Sequence, residues 1–162
     1  MRTMFVGMNR ILPAILALTM MGFATQSAAT DPSLPVEDME EQVILEAVDV
    51  DLDAFRWIKR PVVVFADSPA DPAYVQQMQL LTRELDAVKD RDIIIITDTD
   101  PAAQTALRTK LRPRGFMLAL IGKDGQVKLR KPLPWSVREL SRTIDKMPMR
   151  QQEIRDRRGD GL

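Results

Sequence analysis

Arg60-Pro61-Val62-Val63-Val64-Phe65-Ala66-Asp67-Ser68-Pro69-Ala70-Asp71-Pro72 is the stretch on which the fold turns. Pro61 to Ala66 is a short apolar run rich in β-branched residues, the pattern of a strand covered on both faces. It ends in the turn residues Asp67-Ser68-Pro69-Ala70. Asp71 then stands where it can cap a helix that opens with Pro72, a position where the missing N–H costs nothing. Tyr74, Met78, Leu81, Leu85 and Val88 recur at steps of four and three and give that helix one apolar stripe.

The unit repeats downstream. Ile93-Ile94-Ile95-Ile96 reads as a second buried strand, and Asp98-Thr99-Asp100-Pro101 repeats the cap-then-proline opening, here of a helix expected to reach Leu111. Phe116 to Ile121 is a third strand, and Lys123-Asp124-Gly125 is a hairpin turn. Val127 and Leu129 alternate with Lys128 and Arg130 in a fourth strand, whose polar side suits a sheet edge. Ser136 and Glu139 make a capping box for a last helix, which carries Val137, Leu140, Ile144 and Met147 and stops before Pro148. The order β-α-β-α-β-β-α, parallel in its first half and a hairpin in its second, predicts an α/β, thioredoxin-like fold: a central mixed sheet flanked by helices. Gln42 to Leu52 stays open between a strand around Val43-Ile44-Leu45 and a short helix.

Residues 1–29 read as a cleaved secretory signal. Arg2 and Arg10 precede the almost wholly apolar Ile11 to Ala24, and Ser27-Ala28-Ala29 offers the small residues of a cleavage site, with the cut after Ala29. The apolar stretch falls short of the roughly 20 residues of a spanning helix and contains Pro13, so no membrane span is expected after cleavage. Residues 30–52 read as a leader or linker, 53–150 as the thioredoxin-like domain, and 151–162 as a charged tail, a solvated helix end that frays. The expected location is periplasmic or secreted.

With 45% apolar and 28% charged residues, the 162-residue chain has the composition of one globular domain. Its 23 basic residues balance 23 acidic ones, which leaves no overall field to recruit nucleic acid. It has no cysteine and no histidine, so thiol redox chemistry, imidazole acid–base chemistry and the usual zinc ligands are excluded.

Four segments carry a family resemblance: Phe55-Arg56-Trp57, Val64-Phe65-Ala66, Gly122 through Arg130, and Met147-Pro148-Met149-Arg150. Together they resemble the P-DUDES domain of unknown function over about Asp53 to Glu153. The resemblance implies a thioredoxin-like fold and an exported protein, and it implies no established activity. In a redox-active thioredoxin the paired cysteines sit where the first core strand meets the first long helix; here Pro69 and Pro72 fall in those places, and Met117 stands roughly where such proteins carry a cis-proline.

The remaining candidates are carboxylates, arginines and an aromatic residue. Asp98 and Asp100, with Asp67 or Asp71 from the neighbouring strand end, could form an acid–base pair or hold a divalent ion, although helix capping explains them more simply. Ser68 lies at a helix mouth without a base to activate it and reads as a turn hydroxyl. Asp49, Asp51 and Asp53 begin like a calcium loop, but Ala54 and Arg60 occupy the positions of its glycine and its bidentate glutamate. Arg56, Arg60, Arg130 and Arg150 could converge on an anion. Met147-Pro148-Met149 suggests thioether ligation of copper, but core packing accounts for Met147 better. The residues expected to bind are therefore Asp67, Ser68, Asp71, Asp98, Asp100, Arg56, Trp57 and Arg130, with no catalytic residue, metal or cofactor assigned. The expected function is a non-catalytic module that binds a protein or envelope component. The alternatives are a carboxylate enzyme using a divalent metal and a non-catalytic subunit of a redox pathway.

Overall fold

The computed structural model describes residues 42–48 and 50–159. The expected signal, most of the leader, and Asp49 of the rejected calcium loop lie outside them. Five strands form one sheet in the order β1-β3-β2-β4-β5. They are β1 Ile44–Glu46, β2 Arg60–Phe65, β3 Ile93–Asp98, β4 Met117–Ile121 and β5 Val127–Lys131. β1 and β2 both run parallel to β3, β4 is antiparallel to β2, and β5 is antiparallel to β4. The sequence reads this way because alternate residues of the central strands face two separate apolar layers. Val62, Val64, Ile93 and Ile95 meet Leu81, Val88, Leu140 and Ile144 on one face. Val63, Phe65, Ile94 and Ile96 meet Leu52, Phe55, Leu107 and Leu111 on the other. A strand buried on both sides has no polar position to alternate with. Pro61 is tolerated in this central strand because β4 begins to pair only at Val62, opposite Leu120.

The helices are α1 Pro72–Arg83, α2 Leu85–Lys89, α3 Ala106–Leu111, α4 Val137–Asp145 and α5 Pro148–Gly159, with 3₁₀ turns at Leu52–Phe55 and Pro101–Ala103. Asp71 caps α1 as expected: its carboxylate accepts the N–H groups of Ala73 at 2.8 Å and Tyr74 at 3.2 Å. Gln77, fully buried, exchanges hydrogen bonds with both the N–H and the C=O of Trp135 and fastens α1 to the start of α4. The capping box of Ser136 and Glu139 is complete.

Five expectations change. The helix expected across Tyr74 to Val88 breaks at Glu84, whose φ of −128° is not helical, although Leu81 and Val88 still share one buried layer. The helix expected from Pro101 to Leu111 is split, because Gln104 is left-handed and Thr105 opens α3 by accepting the N–H of Arg108. Asp98 caps nothing; it is the last residue of β3. Ile44–Glu46, at the end of the stretch expected as leader or linker and left open between strand and helix, is an edge strand. The segment expected to be a fraying tail is α5, anchored by the buried Arg150.

Candidate functional site

β2 and β3 end side by side at Phe65 and Asp98, the end of the sheet where a thioredoxin-like protein would hold its thiols. Arg108 fills this end. Its Nε donates to Asp98 Oδ1 at 2.7 Å, and its Nη2 donates to the carbonyls of Ala66 and Asp98. Its guanidinium lies 5.6 Å from the centre of the Phe65 ring. Thr105 Oγ1 donates to the other Asp98 oxygen at 2.6 Å, so both oxygens of that buried carboxylate are occupied.

The other expected acids are also committed locally. Asp71 caps α1, Asp100 accepts the N–H of Ala102, and Asp67 lies 3.7 Å from Arg108. Ser68 accepts the N–H of Ala70, as a turn hydroxyl does. Among the described residues no three carboxylates gather in a way that could hold a metal ion. A thiolate or a free carboxylate needs an open polar position at a strand end, and Arg108 takes it.

The opposite end of the sheet brings together segments far apart in sequence. The Trp57 N–H donates to the Lys123 carbonyl at 2.7 Å, and the Arg56 side chain lies across Gly125 so closely that a Cβ there would sit 3.2 Å from Nε. Gly125 is left-handed with φ 78°, which the tight turn between β4 and β5 requires. Beside this turn Lys123, Asp124, Lys128, Met147 and Met149 line a cleft of about 280 Å³. Trp57 stands out from this end, 63% exposed and left-handed at φ 67°. A bulky aromatic residue is rarely found in that backbone region.

Under the cleft lies a charged lock that the sequence did not reveal. Arg60, 1% exposed, donates to the Arg91 carbonyl at 2.9 Å and to Glu153 of α5 at 2.7 Å. Lys123 joins them, 2.8 Å from Asp92 and 3.0 Å from Glu153. Burial pushes the Glu153 carboxyl up, but hydrogen bonds and charge from Arg60 and Lys123 outweigh it and lower the pKa from 4.5 to about 2. Desolvation likewise raises Asp124, and is outweighed by Lys128 and the Gln126 N–H, which hold it below the usual carboxylate range.

The lowered Glu153 pKa has a defined consequence for stability. The unfolded chain binds this proton more readily than the folded one, so the contribution is complete above about pH 5 and is lost as pH falls from 4.5 towards 2. The loss expected in acid urea titrations is at most about 3 kcal/mol, and a Glu153→Gln variant should lack this component.

The four arginines that could have converged on an anion do not all meet. Arg60 and Arg150 share Glu153, Arg56 lies 3.9 Å from Asp53, and Arg130 donates to the Leu111 carbonyl at the far end of the β4–β5 hairpin. Met147 packs against the apolar layer of α1 and α4. The residues missed from sequence are Arg108, Lys123, Asp92 and Glu153; only the pairing of Gly122 through Arg130 with Phe55-Arg56-Trp57 in one resemblance hinted that these segments meet.

Comparison with known proteins agrees with this geometry. The family model described as Domain of unknown function (DUF4174) matches residues 51–153. Coiled-coil domain-containing protein 80 of Danio rerio is 26% identical, over 64% of this chain and 15% of that protein, so the match spans only a small part of the relative. Among solved structures, reduced 2-Cys peroxiredoxin of Plasmodium vivax superposes with a TM-score of 0.53 at 14% identity, covering 64% of this chain and 85% of that one. Thioredoxin peroxidase I of Plasmodium yoelii superposes with a TM-score of 0.50 at 17% identity, covering 64% and 80%. At these identities the likeness establishes the thioredoxin-like fold and nothing about chemistry.

Proposed function

The chain belongs to the DUF4174 family of domains of unknown function, and from that membership and the surface around Trp57 we propose that it is an exported, non-catalytic binding module that docks a protein partner in the cell envelope. One observation carries the reading. Three of the four segments that mark the family meet at one end of the sheet and present Trp57, an exposed aromatic side chain on a left-handed backbone. Such a conformation costs about 1–3 kcal/mol and persists where the surroundings enforce it, here through the bond to the Lys123 carbonyl. A rigid, exposed tryptophan is a common anchor of protein interfaces.

Export places the mature chain outside the cytoplasm, beginning at Thr30; N-terminal sequencing of the protein from the envelope fraction tests this. Docking is tested by Trp57→Gly. Glycine adopts the left-handed backbone freely, so stability is expected to stay within about 1 kcal/mol of the parent chain. A partner crosslinked to the parent in intact cells is expected to disappear from the variant. Equal recovery of that partner by a folded Trp57→Gly chain would remove Trp57 from the interface.

A further inference from the structure

At the other end of the β4–β5 hairpin from Trp57, Arg112, Arg114, Arg130 and Lys131 line a cavity of about 240 Å³ floored by Phe116 and Met117. We propose that this cavity is a binding site for a phosphate group.

The lining charge is all of one sign. The clefts around Asp51, Asp124, Asp90 and Asp98 each contain acid as well as base or hydroxyl groups, whereas this one contains four cations and no carboxylate. Among the described residues none of the four cations forms a salt bridge. Asp67 lies beyond the lining, with Oδ2 3.8 Å from where a Cβ on Gly115 would stand, and it already faces Arg108 at 3.7 Å. The chain as a whole is neutral, so the attraction here is local, focused by a concave surface.

The backbone fixes this presentation. Arg112 is left-handed at φ 50°, the ring of Pro113 locks that residue's own φ, and Gly115 is left-handed at φ 65°. Arg130 is held through the Leu111 carbonyl at 2.8 Å and Lys131 lies 4.8 Å from the centre of the Trp135 ring; Arg112, Arg114 and Arg130 are all exposed. Met117 pairs with Phe65, so the cavity borders the end of β2, the side of an α/β sheet on which ligands bind. Guanidinium forks suit the oxygens of a phosphate group. Arg130, which the sequence offered for an anion pocket with Arg56, Arg60 and Arg150, lines this one with different companions.

The same phosphate chemistry is offered by a free ion and by an anionic lipid headgroup. The test is an amide NMR titration with inorganic phosphate against chloride at matched ionic strength, alongside co-sedimentation with phosphatidylglycerol vesicles. Arg112→Gly with Arg114→Ala removes two side chains that hold no internal salt bridge, and equal melting temperatures confirm that the fold survives. Saturable shifts confined to Arg112–Met117 and Arg130–Lys131, with Kd raised about 100-fold in the variant, are expected for free phosphate. Vesicle binding by the parent alone assigns the site to a headgroup. Absence of both, or binding that the double variant leaves unchanged, overturns the proposal.

Discussion

Replacing Arg108 by alanine is expected to destabilise the domain by about 3–5 kcal/mol in urea unfolding, because it strands a buried carboxylate. Asp98 is 4% exposed, and its Oδ1 would lose the 2.7 Å bond from Arg108 Nε. Thr105 would remain as donor to Oδ2 alone. The carbonyls of Ala66 and Asp98 would lose Nη2 as well, just where β2 and β3 end. The loss should shrink substantially when Asp98 is made apolar in the same chain, since an uncompensated charge costs more than a missing pair. Asp98→Asn alone is also expected to destabilise, for it leaves Arg108 with only the more distant and more exposed Asp67, at 3.7 Å, as counter-ion. If Arg108→Ala unfolded at the parent urea midpoint, Arg108 would not be what closes the strand ends.

Arg60→Ala is the second large effect, about 2–4 kcal/mol, for it removes a large buried side chain together with its charge-assisted bond to Glu153. Arg60 is almost wholly buried and bonds both to the loop before β3, through the Arg91 carbonyl, and to α5, through Glu153. Its removal leaves Glu153 with Lys123 at 3.0 Å and with Arg150 Nη1 at 3.4 Å. Hydrogen exchange in residues 148–159 should therefore accelerate more than exchange in β2 and β3. The gap between parent and variant should narrow as pH falls towards 2, where protonation weakens the same bond in the parent. A gap that widened in acid would assign the stabilisation elsewhere.

The strands most legible from sequence are those buried on both faces. Val62 to Ala66 and Ile93 to Ile96 leave few other readings. Helix α4 was equally legible because its cap and its three-four spacing agree. β1 was not, since only Leu45 of its three residues is buried and such a segment has no measurable period. α5 was hidden for a different reason. What fastens it is Arg150 and Glu153, and charged residues in a terminal segment read as solvated until their partners are known. Arg108 was invisible because its contacts come from Phe65, Ala66, Asp67 and Asp98, on strands and a turn remote from it in sequence. Trp57 was singled out through the family resemblance, but its left-handed backbone was not foreseeable, because tryptophan has no preference for that region.

Local chemistry and global arrangement thus divide the chain in two. The end of the sheet that would carry thiols is closed by Arg108, and the end that carries most of the family's marking segments holds both an exposed aromatic residue and a charged lock. The proposed binding module needs an exposed surface without a reactive group, and Trp57 is exposed at the second end.

The most direct measurement is photocrosslinking in intact cells, with a photoreactive phenylalanine placed at the exposed Ile58, beside an intact Trp57, in one strain and at Ser68 in another. The binding-module account expects a discrete protein adduct from position 58 that is absent without irradiation and weaker or absent from position 68. Adducts from position 68 alone, or none from either in a folded and exported chain, would contradict it.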